Sequence, residues 1–316
     1  MWDSIVGHLP IVSLLRRVAR SERVGHAYLF VGQRGVGKYT LAKAFAAHIL
    51  CLSNQGPCGV CESCRLLASD SNPDLVEILP QGQSFRISQI RELNRHCLLR
   101  PSLGTRRVYI LHNVEKLTAD AANSFLRTLE EPPPHVTFVL LASTQDVIST
   151  ILSRCQVLRF PSLTYDETLA VVRASGILPA EKAEQIAKRG LGSPGDALNM
   201  MTPTYRATIS MAQELAYAWP LLGIEDKLLW VKRLEEGRDE LTVILEYLSV
   251  WVRDVMLFKL GLYEYIVSEP SEEIQRQAQM ADIALLLDRW QSLASLQSKI
   301  RSNVNRKLVI DELLLV

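Results

Sequence analysis

The stretch Gly32-Gln33-Arg34-Gly35-Val36-Gly37-Lys38-Tyr39-Thr40 has the residue types and spacing of a phosphate cradle. Glycines let consecutive backbone N–H groups converge on phosphate oxygens. A helix opening at the lysine adds partial positive charge, and the lysine itself reaches the outer phosphates. Gly32, Gly35, Gly37, Lys38 and Thr40 are the candidate nucleotide-binding residues, with ATP or ADP as the ligand class. The position after the lysine breaks the pattern. A hydroxyl that ligates Mg²⁺ belongs there, and this chain has Tyr39. Thr40 follows one residue later, rotated about 100° around the helix, and does not take over that ligand position.

Hydrolysis also needs acidic residues at the end of a neighbouring strand. The candidate strand, Val108-Tyr109-Ile110-Leu111, runs into His112-Asn113-Val114-Glu115. Neither His112 nor Asn113 offers Mg²⁺ a hard anionic oxygen, and an asparagine cannot take a proton from water. Glu115 comes three residues late and reads as a solvated surface charge. One hydroxyl and two carboxylates are absent together, so this site is not expected to hydrolyse nucleotide.

Cys51, Cys58, Cys61 and Cys64 supply four thiols within fourteen positions. Two interlocked C-x-x-C pairs and a fourth thiol suit a closed tetrahedral Zn²⁺ site with a structural role. An iron–sulfur cluster shares the C-x-x-C-x-x-C run, but the further cysteine it usually takes shortly downstream is absent. Free thiols are the third reading. Cys97 and Cys155 have no partners in sequence and read as small buried apolar residues. Arg154, in Ser153-Arg154-Cys155, reads either as a salt-bridged surface residue or as an arginine finger that offers its planar fork to phosphates bound elsewhere. The six histidines show no metal-ligand spacing, and no Ser/His/Asp order suggests a nucleophilic triad.

The elements that must position these residues are legible in outline. Ala27–Val31, Leu75–Leu79, Val108–Leu111, Val136–Leu141 and Val157–Phe160 are short β-branched or aromatic runs that read as buried strands. Helical patterns run over Lys38–Leu50, Ile87–Leu98 and Thr118–Leu129, the last stopped by Glu130-Glu131 and three prolines. This alternation predicts a mostly parallel sheet covered on both faces. Tyr165–Arg173 and Glu181–Arg189 read as short helices. Ile244, Leu248, Trp251, Val252, Val255 and Met256 form an amphipathic stripe in a wholly helical final segment, read as the core of a bundle.

With 316 residues, two or three domains are expected. The 35 basic against 34 acidic residues leave a charge of +1, which excludes a polybasic chain and argues against independent, tight DNA binding. No apolar run approaches the roughly 18–20 residues that span a bilayer. Met1-Trp2-Asp3-Ser4 lacks the basic start of a signal peptide, so a soluble cytoplasmic protein is expected.

The P-loop, the four-cysteine insert after its helix, Thr128-Leu129-Glu130-Glu131-Pro132-Pro133 and Ser153-Arg154-Cys155 together resemble the bacterial clamp-loader branch of the AAA+ proteins. The resemblance is specific up to about residue 200 and architectural beyond. It implies an α/β P-loop AAA+ domain at 1–160 with a zinc module at 51–64, a small helical lid at 161–204 and an all-α collar for oligomerisation at 205–316. Active motors of that family show Gly-Lys-Thr, an Asp-Glu pair and an arginine in the second sensor. This chain has Gly-Lys-Tyr, His112-Asn113, and Gly195 within Gly192-Ser193-Pro194-Gly195-Asp196, and so is similar to the family's non-hydrolysing member. The resemblance further implies that Arg154 reaches ATP held by a neighbouring motor subunit. It places an adenine pocket near Ile5, Val6 and Gly7, and a first sensor at Ser143 or Thr144. The implied partners are the gamma/tau motor subunits and the clamp-opening delta subunit, and through the complex the sliding clamp and primed DNA. The alternative is an active motor using Thr40 and Glu115 as metal ligands.

Overall fold

Five short runs form one parallel sheet: Ala27–Val31 (β1), Leu75–Ile78 (β2), Arg107–Leu111 (β3), Val136–Ala142 (β4) and Gln156–Arg159 (β5), in the order β2-β3-β4-β1-β5. The computed structural model describes residues 2–21, 24–53, 56–82, 84–177, 179–236, 241–268, 272–301 and 304–315. Met1 and Val316, the outer bounds of the expected domains, lie outside them. The chain divides into two units, Met1–Leu198 and Asn199–Val316.

In the first unit the helices are Leu9–Arg20 (α1), Lys38–Ile49 (α2), Glu62–Ala68 (α3), Ile87–His96 (α4), Ala119–Glu130 (α5), Ser149–Leu152 (α6), Tyr165–Ala174 (α7), Ala180–Arg189 (α8) and Pro194–Asn199 (α9). Successive strand side chains point to opposite faces, and both faces are covered. Leu29, Val31, Tyr109, Leu111, Phe138 and Leu140 pack with Ile90, Leu93, Phe125 and Leu129 of α4 and α5. Tyr28, Phe30, Val108, Ile110 and Val139 pack with Leu15, Leu41 and Phe45 of α1 and α2. This is the α/β architecture expected from the sequence, a parallel sheet with helices on both faces. The expectation of five buried strands holds for β1, β3 and β4; β2 is half-buried and β5 largely exposed. Both are edge strands with one neighbour each.

β3 is tied to β2 by a buried ion pair. Asp74 takes N–H bonds from Ser102 and Leu103 at 2.7 and 2.8 Å and lies 3.2 Å from Arg107 Nη2. Burial pushes its carboxyl up, but these donors outweigh that and leave it below the usual carboxylate range.

The second unit is helical throughout its described residues: Pro203–Ala218 (α10), Ile224–Glu236 (α11), Leu241–Lys259 (α12), Glu272–Met280 (α13), Ile283–Arg301 (α14) and Arg306–Leu315 (α15). Ile244, Leu248, Trp251, Val252 and Val255 are buried and Met256 partly so, which makes the amphipathic stripe the bundle's core. The division between the units falls at Leu198/Asn199, where the sequence reading ended the lid at 204; α7 and α8 belong with the sheet.

Candidate functional site

β1 ends at Val31, and the chain turns through the glycine loop into α2, whose first residue is Lys38. Parallel strands deliver their C-terminal ends to one edge of the sheet, where such folds bind ligands. Gly32 after β1, His112 after β3 and Ser143 after β4 gather there. Gly35 has a φ of 76°, which favours glycine, and a Cβ on it would lie 2.2 Å from Ser193 Oγ.

Every carbonyl from Gly32 to Val36 accepts a hydrogen bond from this chain. Lys38 Nζ donates to Gly32 O and, at 2.7 Å, to Gln33 O. Ser193 Oγ donates to Arg34 O at 2.8 Å, Gly195 N–H to Gly35 O at 2.9 Å, and His8 Nε2–H to Val36 O at 2.9 Å. The turn before α9 and the first residues of α9 are therefore packed directly on the loop, with Gly195 at the point of approach. Burial pushes the Lys38 ammonium down to about 8, against the attraction of Glu115 and Asp196. Thr40 lies exposed on α2, and Ile5 and Val6 are half-buried ahead of α1.

The place where Mg²⁺ ligands belong is filled by protein contacts. Tyr39 Oη donates to Glu77 Oε1 at 2.9 Å, and His112 Nε2 donates to Glu77 Oε2 at 3.1 Å. The Tyr39 and His112 rings lie 5.1 Å apart between centroids, and Lys43, paired with Asp70, stands 5.6 Å from the tyrosine ring. Both oxygens of the carboxylate on β2 are thus engaged. Phenol and imidazole are poor partners for a hard divalent ion, and the Asn113 amide is neutral where a carboxylate is needed. Tyr39, His112 and Asn113 supply no anionic oxygen for Mg²⁺.

Glu115 is not the solvated surface charge expected from sequence. Asn113 adopts a left-handed φ of 53° and starts the 3₁₀ turn Val114–Lys116, which swings Glu115 inward. Its Oε1 accepts the Ser143 N–H at 3.2 Å, and its Oε2 is buried with no hydrogen-bond partner. An asparagine, which tolerates the left-handed region, was the available signal.

The cysteines come together. Cys51 follows α2, Cys61 caps α3 by accepting the Cys64 N–H, and the Sγ atoms of Cys51, Cys58, Cys61 and Cys64 all lie within 4.8 Å of one another. Four thiolates around Zn²⁺ at about 2.3 Å stand roughly 3.8 Å apart, close to the spacing here. Backbone N–H groups of Val60 and Cys61 lower the Cys58 thiol to about 6, toward the thiolate that ligates metal. A Cβ on Gly56 would fall 2.6 Å from Cys51 Sγ, so the loop closes tightly on the group. The four cysteines could hold one metal ion. Cys97 is buried and Cys155 partly so, and burial pushes both thiols up, to about 11 and 12.

Arg154 lies in the turn between α6 and β5. Its Nε donates to Glu130 Oε1 at 2.9 Å and its Nη2 to the same oxygen, while Nη1 donates to Thr150 O at 2.9 Å and Ser153 Oγ at 3.1 Å. Glu130, the last residue of α5, reads in the sequence as part of a helix stop and not as a partner of Arg154, because 24 positions separate the two.

A family model described as DNA polymerase III, delta subunit, matches residues 7–164, and one described as DNA polymerase III, delta subunit, C terminal, matches residues 213–316. The chain belongs to this family. Among curated relatives it is 36% identical over 210 residues to DNA polymerase III subunit tau/gamma of Haemophilus influenzae, covering 63% of this chain and 30% of that one. It is 36% identical over 155 residues to subunit delta′ of Bacillus subtilis, covering 48% and 47%, and 39% identical over 136 residues to subunit delta′ of Haemophilus influenzae, covering 42% and 41%. The match spans less than half the length of each of these three relatives. Within the family, the features that depart from a hydrolysing P-loop in this chain are Tyr39, His112 and Asn113, with Glu77 the unforeseen partner of the first two.

Proposed function

We propose that this chain is the non-hydrolysing, delta′-like subunit of a DNA polymerase III clamp loader, and that Arg154 is an arginine finger for ATP bound by a neighbouring gamma/tau motor subunit. Glu77 carries the reading. Its carboxylate is engaged by Tyr39 and His112 at the strand ends where a hydrolysing P-loop needs oxygens for Mg²⁺. Sequence likeness is shared between tau/gamma and delta′ relatives, so these residues, rather than the degree of identity, favour delta′.

In this mechanism the motor subunit holds and cleaves ATP. The Arg154 guanidinium meets the charge that develops on the transferring phosphoryl group, a contribution worth about 10³- to 10⁵-fold in rate. Gly32, Gly35, Gly37 and Lys38 would hold ATP or ADP without cleaving it. The four cysteines would hold a structural zinc, and residues 161–204 and 205–316 would serve as lid and collar. The collar would pair this chain with the motor subunits and the clamp-opening delta subunit, so that the assembled complex loads the sliding clamp on primed DNA in the cytoplasm.

One observation favours a second reading, an active motor: Glu115 is turned into the site with a free carboxylate oxygen. Its other suggested ligand, Thr40, is exposed. The purified chain with ATP and Mg²⁺ separates the two readings. No phosphate release is expected; turnover abolished by Lys38→Ala would establish the motor. In the reconstituted complex, Arg154→Ala is expected to leave assembly intact and to lower DNA-stimulated ATPase, by about 10³-fold or more at the adjoining site. An unchanged rate would defeat the finger role.

A further inference from the structure

Arg154 projects from a short turn, and a free arginine side chain there would sample many rotamers. Four hydrogen bonds hold it instead. Glu130 Oε1 takes both Nε–H and one Nη2–H, and Nη1 is spent on Thr150 O and Ser153 Oγ. Of the five guanidinium N–H bonds, this leaves one, on Nη2. Glu130 is itself fixed. It ends α5, whose next residues are Glu131 and Pro132-Pro133-Pro134, and α5 is anchored in the core by Phe125 and Leu129.

A carboxylate at a helix C-terminus meets the negative end of the dipole and is unfavourable there without a cation. Arg154 supplies that cation. The pair is partly exposed, 31% for the arginine and 48% for the glutamate, and ion pairs of this kind hold only weakly. Such a pair is too weak to withhold the guanidinium from a triphosphate. It does set the plane and direction of the group, and small misplacements of a reacting group are costly in rate.

We infer that Glu130 is a positioning residue for the finger: it orients the Arg154 guanidinium toward nucleotide bound by a neighbouring subunit, and never touches that nucleotide. The inference rests on the finger role proposed above. The test uses the complex reconstituted with its motor and clamp-opening subunits, and reads the Arg154-dependent part of ATP turnover, the difference between wild type and Arg154→Ala. In Glu130→Ala this part is expected to fall about tenfold in kcat, with KM for ATP unchanged because the motor's own loop sets nucleotide affinity. Glu130→Gln keeps an acceptor oxygen at the same reach and is expected to restore kcat to within about twofold of wild type. Size-exclusion profiles should show the same assembly in every variant.

A Glu130→Ala complex at wild-type rate beside a slow Arg154→Ala complex would overturn the inference and leave the finger standing. A faster one would mean that Glu130 restrains the arginine, and would overturn it too, as would a shift in KM alone, a Glu130→Gln complex as slow as Glu130→Ala, or failure of either variant to assemble. Arg154→Ala at wild-type rate would instead remove the finger reading itself.

Discussion

At the scale of single residues, the deciding group is a carboxylate that the P-loop motif does not contain. Glu77 binds Tyr39 and His112 at once, so the two departures from a hydrolysing P-loop stabilise each other through one acceptor. Lys38, folded back on the loop carbonyls and buried, makes a prediction about pH. Its ammonium is lowered from 10.5 to about 8, so between those values the unfolded chain binds more protons than the folded one. Stability arising from this group therefore rises with pH across that window. Unfolding free energies from urea titrations at pH 7.5 and pH 10 should show a smaller rise in Lys38→Met than in wild type, by on the order of 2 kcal/mol; equal rises would mean that Lys38 is solvated. The sequence around Lys38 was enough to find the loop, because the motif is contiguous. Glu115 was misread because its direction depends on one backbone angle at Asn113, and Glu77 was overlooked because only strand pairing brings β2 beside β3.

At the scale of elements, the cysteine insert shows how local spacing and chain closure divide the task. C-x-x-C puts Cys61 at the cap of α3 and Cys64 in its first turn, a purely local result. Cys51 joins them only because α2 ends beside that turn. Metal analysis is expected to find about one zinc per chain. A strong chelator should lower the melting temperature of the purified chain, with Cys64→Ser giving the same loss and no further response to chelator. A brown, iron-containing protein, or a melting temperature indifferent to chelator, would refute a structural zinc. The strands teach a related lesson. β5 has the apolar run of a buried strand, yet it lies at an edge, and its exposure follows from its single neighbour in the sheet rather than from its composition.

At the scale of the whole molecule, two units each bury their own core, and this predicts independent folding. A fragment of residues 199–316 contains the whole cluster around Trp251, including Leu215, Ile244, Leu293 and Ile310. The Trp251 indole N–H donates to Gln277 at 3.1 Å, and Gln277 donates to Ala216 O at 2.9 Å, both within that stretch. Circular dichroism of the fragment should show a helical spectrum and one cooperative thermal transition; a gradual, non-cooperative melt would show that its core needs the first unit. The amino-acid sequence by itself determined the glycine loop between β1 and α2, the four thiols, the strand and helix alternation and the helical character of the end, since each depends on residues close together in the chain. Only the tertiary structure decided which carboxylate answers Tyr39 and His112, where Glu115 points and what holds Arg154. Those are contacts between residues tens of positions apart, and their geometry exists only once the sheet has closed.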